Sequence, residues 1–489
     1  MAKEASRKTA KPSAAKKQTV GARALSKAAK KVLVVNMIPR ALSGESHQDS
    51  EPTIAVNPAN LLQIAGSAFT PDPGGGNLAP IFVSVDGGNT WTLKSIVPSS
   101  AADGSATSDI TVAFGTASNK LYAGIIRVPF PSNRPRLNIL RTDDFQSGAT
   151  MKVLVDRTGS GVDQPYVQAA TVASGPNQGK DRVYVGDNDF NSTPRSATID
   201  QSLDAGKTNP AFTSVRIESR STAGQDGPPI RPAIHPDGTV YAIFHSWRTF
   251  DNNGEGTADI VVVRDDNGGS GANKFKALVD GGDGKAGVRV VKDVKFNFDG
   301  FLGLQRTGGD VSIAVDPSNS GIVYIAYNDD ADADYMLHVL RSTDRGATWS
   351  SDLRTVRNAL NPALAINSAG KAGLLYQQLT GPGATQRWVT KFESSVKGIT
   401  WRAITLATVP ANTPPKDFDP YLGDYDHLMS VGKDFYGVFC ANNTPKKSNF
   451  PKGVTYQRNV NFISHTLLDV DNATPVEVSI DPFFFKVTG

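Results

Sequence analysis

Carboxylates and a few partners stand just ahead of short apolar runs at intervals along the chain. Glu51, Asp109, Asp163, Asp310 and Asp419 hold such positions, as does Asp49, and Arg231 and Tyr421 stand beside equivalent runs. A second set follows other apolar runs: Asp187-Asn188-Asp189, His245 with Trp247 and Arg248, and Asn328-Asp329-Asp330-Ala331-Asp332. Two carboxyls brought to a suitable separation can work on a neutral sugar as acid with base or nucleophile. The same oxygens can hold Ca2+, a hard cation that takes six to eight of them. Asp329, Asp330 and Asp332 are the richest oxygen cluster, without the glycine and terminal glutamate of an EF-hand loop. Trp247 could stack on a sugar face with His245 and Arg248 donating beside it, or pack between structural elements. His235 and His427 lack metal-ligand spacing, which argues against zinc.

The elements that must position these residues are strands. The chain of 489 residues has 46 glycines and 30 prolines, and its apolar runs are short and broken by turn residues, an all-β pattern. A repeat of the form apolar-Ala-apolar-Asn/Asp/His-Pro begins at Glu51 (Thr53-Ile54-Ala55-Val56-Asn57-Pro58) and returns at Asp310, Asn361 and Ile230. Weaker copies start at Asp109, Gln164 and Asp419, which makes seven, each followed by a second apolar run. From Glu51 to Asp419 the copies are 58, 55, 66, 80, 51 and 58 residues apart, each long enough for four strands. The longest interval predicts an insertion within 266–309. Units of this kind cannot bury both faces alone and must close in a ring. The expectation is a seven-bladed β-propeller of four-stranded antiparallel blades over residues 32–489, six blades being the alternative. Strand 32–37 would complete the last blade.

Two segments extend this reading. Ser84-Val85-Asp86-Gly87-Gly88-Asn89-Thr90-Trp91 and Ser342-Thr343-Asp344-Arg345-Gly346-Ala347-Thr348-Trp349 share one pattern, and Ser202-Leu203-Asp204-Ala205-Gly206 is a degenerate copy. The pattern predicts a turn in which Asp bonds the backbone two residues on, Gly takes positive φ and Trp packs back. Ser-x-Asp-x-Gly-x-Thr-Trp is the Asp-box, and with it the chain resembles the sialidase-like (BNR-repeat) β-propellers. The resemblance implies that the box joins the third and fourth strands of a blade, away from the ligand. It also implies that the inner-strand starts and second-strand exits share the functional face. Glu51, Asp109, Asp310, Asp419 and Tyr421 then become the catalytic candidates, with Asp163, Arg231, His245, Trp247 and Arg248 binding ligand. Asp329, Asp330 and Asp332 are the metal candidates; no cofactor is required, and Ca2+ is the ion that would fit.

The sialidase signature itself is incomplete. Met37-Ile38-Pro39-Arg40 has the order of the family's Arg-Ile-Pro motif wrong, the chain has only seven glutamates, and sialidases have six blades. The expected partner is a glycan or glycoconjugate bound by an acidic site, with glycoside hydrolysis as the possible activity. The alternatives are a glycan- or protein-binding propeller without turnover, and a cargo directed by its tail. The single cysteine, Cys440, reads as core and rules out an intrachain disulfide framework. No stretch approaches the ~18 apolar residues of a membrane span.

Charge is segregated. Residues 1–31 carry ten Lys or Arg and one acid, while the other 458 residues carry 41 bases and 46 acids. The segment has no aromatic residue and no apolar core of signal-peptide length, so the expectation is a disordered basic tail. Localisation by this reading is cytoplasmic or by a non-classical export route. Nucleic acid or another polyanion would meet the chain only through this tail. Deleting residues 1–31 should leave the thermal midpoint within a few degrees, as scanning calorimetry would check, because such a segment buries little apolar surface.

Overall fold

The computed structural model describes residues 31–70, 78–98, 107–127, 135–157, 161–190, 196–220, 230–251, 253, 255–297, 310–330, 335–414 and 422–489. Asp332, Asp419, Tyr421 and the tail before Lys31 lie outside them. The described chain forms seven four-stranded antiparallel sheets. Their inner strands are Ser50–Val56, Ile110–Phe114, Val162–Thr171, Arg231–Ile234, Val311–Asp316, Ala359–Ile366 and His427–Val431. Each inner strand touches the next, and the seventh touches the first, which closes a seven-bladed β-propeller. Among the described residues no helix is long and apolar enough to cross a membrane.

The ring follows from the period of two along each strand. In one strand Val183 and Val185 face the second blade while Tyr184 faces the fourth. In another, Tyr241 and Ile243 face the fifth blade, and Val240, Ala242 and Phe244 face the third. Both faces of every sheet are therefore apolar, and each of the seven large cores sits between two neighbouring blades.

The last blade is made from both ends of the chain, with order His427–Val431, Asp434–Asn442, Ile480–Val487 and Val32–Asn36 from the inside out. Val32 to Asn36 pair with Val487 to Phe483, and Val34 and Val35 are buried. The seventh inner strand begins at His427, eight residues beyond the Asp419 repeat copy, because the apolar run Leu428-Met429-Ser430-Val431 lies there. Two excursions leave the regular pattern. Residues 266–287 lie between the third and fourth strands of the fourth blade, inside the expected insertion. Residues 443–479 carry a small three-stranded sheet in the last blade, which the sequence reading did not anticipate.

The two Ser-x-Asp-x-Gly-x-Thr-Trp turns join third to fourth strands and share one hydrogen-bond network. Asp86 Oδ1 accepts from the Thr90 amide (2.9 Å) and its Oδ2 from the Thr90 hydroxyl (2.7 Å). Ser84 Oγ accepts from the Gly88 amide, and Trp91 Nε1 donates to the Gly88 carbonyl. Ser342, Asp344, Gly346, Thr348 and Trp349 repeat these contacts. Asp thus bonds the amide four residues on rather than two, so that the turn closes on its own Thr. Gly88 has φ 88° and Gly346 φ 83°, the left-handed region where a side chain is strained.

Extending the tail deletion through Asn36 should cost far more than deleting residues 1–31. It removes two buried valines, each worth roughly 1.5–3 kcal/mol, and opens the outer edge of the closing blade. Calorimetry of the two truncations should show a markedly lower midpoint only for the longer one.

Candidate functional site

Where the inner strands begin, two tiers of side chains face the axis. In the lower tier Thr53, Thr111 and Ser312 accept a hydrogen bond from the inner-strand amide of the next blade, those of Val112, Val167 and Leu364. His427 does the same at the ring closure, its Nδ1 accepting from the Ile54 amide at 3.1 Å. An amide can only donate, so Nδ1 carries the lone pair and the proton sits on Nε2. Nε2 then donates to the Tyr166 hydroxyl at 3.0 Å. Burial first, and then the charge of Arg231, push the His427 pKa down to about 3, which keeps the ring neutral.

The upper tier lies two residues earlier. Glu51, Gln164 and Asn361 there have φ of 50°, 49° and 55°, each precedes a proline, and the strand register shifts across each. Left-handed backbone costs a non-glycine residue about 1–3 kcal/mol, and such strain gathers at functional sites. All three reach the segment that enters the seventh blade. Glu51 Oε1 accepts from the Asp424 amide (3.3 Å), Gln164 Nε2 donates to Asp424 Oδ2 (3.0 Å), and Asn361 Nδ2 donates to the Gly423 carbonyl (3.1 Å). Gly423 has φ 91°, and a Cβ there would collide with the backbone nitrogen of Glu51. The chain is drawn across the axis by its blade neighbours.

Arg231 is the cation of the cluster. Its guanidinium carbon lies 4.1 Å from the Tyr166 ring centre and 4.8 Å from that of Tyr425, and Nη2 is 3.4 Å from Asp310 Oδ1. Asp310 Oδ1 also accepts from the Val311 amide, whereas Oδ2 has no hydrogen-bond partner. Burial outweighs Arg231 and pushes the Asp310 pKa up to about 7. Asp426 is buried with both carboxyl oxygens unpartnered, and burial followed by the charge of Asp310 pushes it well above the usual range. The Tyr425 hydroxyl is also unpartnered, its pKa raised by burial and by Glu51 and Asp109. A cavity of about 160 Å³ meets Tyr166, Arg231, Asp426 and His427, and another of about 670 Å³ continues past His427 along the inner strands.

The structure therefore brings Glu51, Asp310 and Arg231 of the expected set together, with Asp109 beside Tyr425. Asp163 is one residue short of the axial position, which Gln164 takes. Asp424, Tyr425 and Asp426 stand where Asp419 and Tyr421 were expected, since the strand they precede begins at His427. Trp247 is not a sugar platform: it is buried, with Phe296 and Phe250 edge-on at 4.9 and 5.8 Å. His245 stacks on it at 6.1 Å, and Arg248 Nε donates to Asp259 at 3.0 Å. Asp329 accepts from the Lys295 amide, the Asp330 amide donates back to the Lys295 carbonyl, and neither joins a three-ligand group among the described residues. The missed residues Gln164 and Tyr166 follow from the repeat once its lower-tier positions are aligned, whereas Asp424 and Asp426 do not, because His427 takes the hydroxyl's place in the seventh strand.

The fold and the site define an all-β, seven-bladed propeller with an acidic axial cluster built around one arginine. No protein-family model matches the chain, and no curated protein matches it. Among solved structures it is similar to the α-L-arabinofuranosidase Arb93A of Fusarium graminearum, at 10% identity over 92% of this chain and 97% of that one, with a TM-score of 0.41. An α-L-arabinanase of Penicillium chrysogenum complexed with arabinobiose shares 12% identity over 92% and 97%, TM-score 0.43. An ulvan lyase of polysaccharide lyase family 25 shares 9% over 81% and 92%, TM-score 0.48. At these values the likenesses bear on neither substrate nor mechanism.

The raised carboxyl at the axis sets a pH dependence. Asp310 holds its proton in the fold up to about pH 7 but releases it near 3.8 when unfolded. The native state thus binds more protons between these values, and stability falls as pH rises through that window. Asp426 adds a term of the same sign. The thermal midpoint should decline across it, and Asp310→Asn should make the decline shallower; an unchanged slope would contradict the assignment.

Proposed function

We propose that the protein recognises glycans at the axial mouth of its ring through a carboxyl-based site, and that Asp310 serves glycoside hydrolysis as proton donor. The observation that carries this reading is the pairing of a buried carboxyl held near neutrality with the Arg231 guanidinium beside it. A protonated Asp310, the unpartnered Asp426 and Tyr425 groups and the Arg231 N–H groups offer donors, while Glu51 and Asp424 offer acceptors. Sugar hydroxyls answer both kinds without importing charge into a buried site. An anion would face several carboxylates around the Arg231 guanidinium, which disfavours a sialic acid or a phosphate. The Asp-box resemblance supports a sialidase-like ancestry for the ring and leaves its chemistry to these residues.

In hydrolysis Asp310 would give its proton to the glycosidic oxygen as the bond from the anomeric carbon breaks. Glu51 would serve as the second carboxylate, and water would supply hydroxide to the anomeric carbon and return a proton to Asp310.

A glycan array combined with a panel of nitrophenyl glycosides tests both parts. The wild type should bind neutral oligosaccharides and turn over at least one glycoside. Asp310→Asn should cut kcat by about 10²–10⁴-fold, the size of a general-acid contribution. Binding without turnover would remove the hydrolytic step and leave glycan recognition; no binding on the array would overturn the reading.

A further inference from the structure

A second carboxyl cluster lies where the two ends of the chain meet. Glu45 and Asp49 sit in the segment that leads into the first inner strand, and Asp481 in the strand Ile480–Val487 of the closing blade. All three are buried, Asp49 and Asp481 completely, and one oxygen of each lies within 4.8 Å of the others. Asp481 is well supplied: its oxygens accept from Asn36 Nδ2 (2.6 Å), Asn443 Nδ2 (2.7 Å) and Arg458 Nη1 (3.1 Å). The other two are not. Glu45 Oε1 accepts from the His47 amide, but Glu45 Oε2 and both oxygens of Asp49 receive no hydrogen bond. The Thr70 side chain is a polar neighbour of Asp49 and works against burial and Asp481, which raise its proton affinity. Arg458 gives little further help, because its Nη2 is spent on the Ser43 and Glu45 carbonyls and its Nη1 is 4.0 Å from Glu45 Oε2.

Three carboxylates face the Arg458 guanidinium and the exposed His47 ring, whose Nδ1 is 3.5 Å from Glu45 Oε1, while Glu45 Oε2 and both Asp49 oxygens lack a close donor. Unpaired buried charge of this kind is compensated by a cation or by protons. The donors are all hard oxygens, and opposite ligands of Ca2+ stand about 5 Å apart, a span this cluster fits. Mg2+, with its shorter bonds and retained waters, suits a closed pocket less well. An ion has a short way in, since Gly44, Ser46 and His47 around Glu45 are exposed.

We propose that Glu45, Asp49 and Asp481 form a Ca2+ site that latches the entry of the first blade to the closing blade. It is distinct from the axial cluster and from the Asp329–Asp330 loop. Burial also raises the proton affinity of the Glu45 carboxyl, to a pKa of about 10, and that of Asp49. Protons are therefore the competing occupant, and the two make opposite predictions.

The test uses the full-length protein, dialysed against a chelator and then given CaCl2 or MgCl2 to about 1 mM, with thermal midpoint and bound calcium measured. A ligand that binds only the folded state raises the midpoint in proportion to the logarithm of its concentration above Kd. The wild type should retain one Ca2+ per chain and gain several degrees, with a smaller gain from Mg2+. Glu45→Gln and Asp49→Asn should keep the wild-type circular dichroism but lose both the bound ion and the gain. A wild type that retains no calcium overturns the proposal whether or not the variants fold. Variants that respond to Ca2+ like the wild type overturn it as well, as do variants that are stabilised without calcium, the result protons would give.

Discussion

Every blade in this protein has two apolar faces, and that constraint fixes the rest. A sheet packed on one side only would leave a row of Val, Ile and Tyr side chains in water, at roughly 25 cal/mol per Å² of exposed apolar surface. Seven sheets answer it by sharing seven cores, each contributed half by one blade and half by the next. The arrangement has no end at which to stop, so the chain must return to its start. It does so by making the last blade from both ends of the described chain, with Val32–Asn36 on the outside of Ile480–Val487.

Closure concentrates polar problems in two places. At the axis, seven inner strands converge and bring side chains from the same repeat position close together. Lower-tier hydroxyls resolve part of this by bonding the next strand, and His427 takes over that duty where the last blade meets the first. The upper tier is left with more carboxyls than cations, and its backbone is held in left-handed conformations by contacts to Gly423 and Asp424. At the chain junction, Arg458 and Asp481 fasten the 443–479 excursion to Asn36 and to the Ser43–Glu45 loop. Both places combine burial with unmatched negative charge, the condition under which a carboxyl keeps its proton or takes a counter-ion.

The two sites differ in what surrounds them. The axial cluster borders a cavity and carries donors of several kinds, among them a tyrosine hydroxyl and a guanidinium packed between two rings. Such a mixture suits a ligand rich in hydroxyls. The junction cluster offers carboxylate oxygens and little else, which suits an ion.

How much of this the residues announce depends on whether the information is local. The strands, their number and the two Asp-box turns are local: period-two apolar runs, an Ala-x-Asn-Pro ending and a fixed Ser-Asp-Gly-Thr-Trp spacing place them, and the extra strand at the start completes the ring. Glu51, Asp310 and Arg231 were legible because the repeat puts them at strand starts. The start of the seventh inner strand was not, since His427-Leu428-Met429-Ser430-Val431 lacks the repeat's ending and a partial match at Asp419 stood nearby. Trp247 has the composition of a sugar platform, and only packing against Phe296 and Phe250 decides otherwise. Glu45, Asp49, Arg458 and Asp481 are separated by more than 400 residues at their extremes, and no spacing rule joins them. The sequence by itself determined the blades, because blade formation is a matter of alternation and turns within some tens of residues. Tertiary structure alone decided which charges are buried together, because ring closure sets those distances and burial sets their cost.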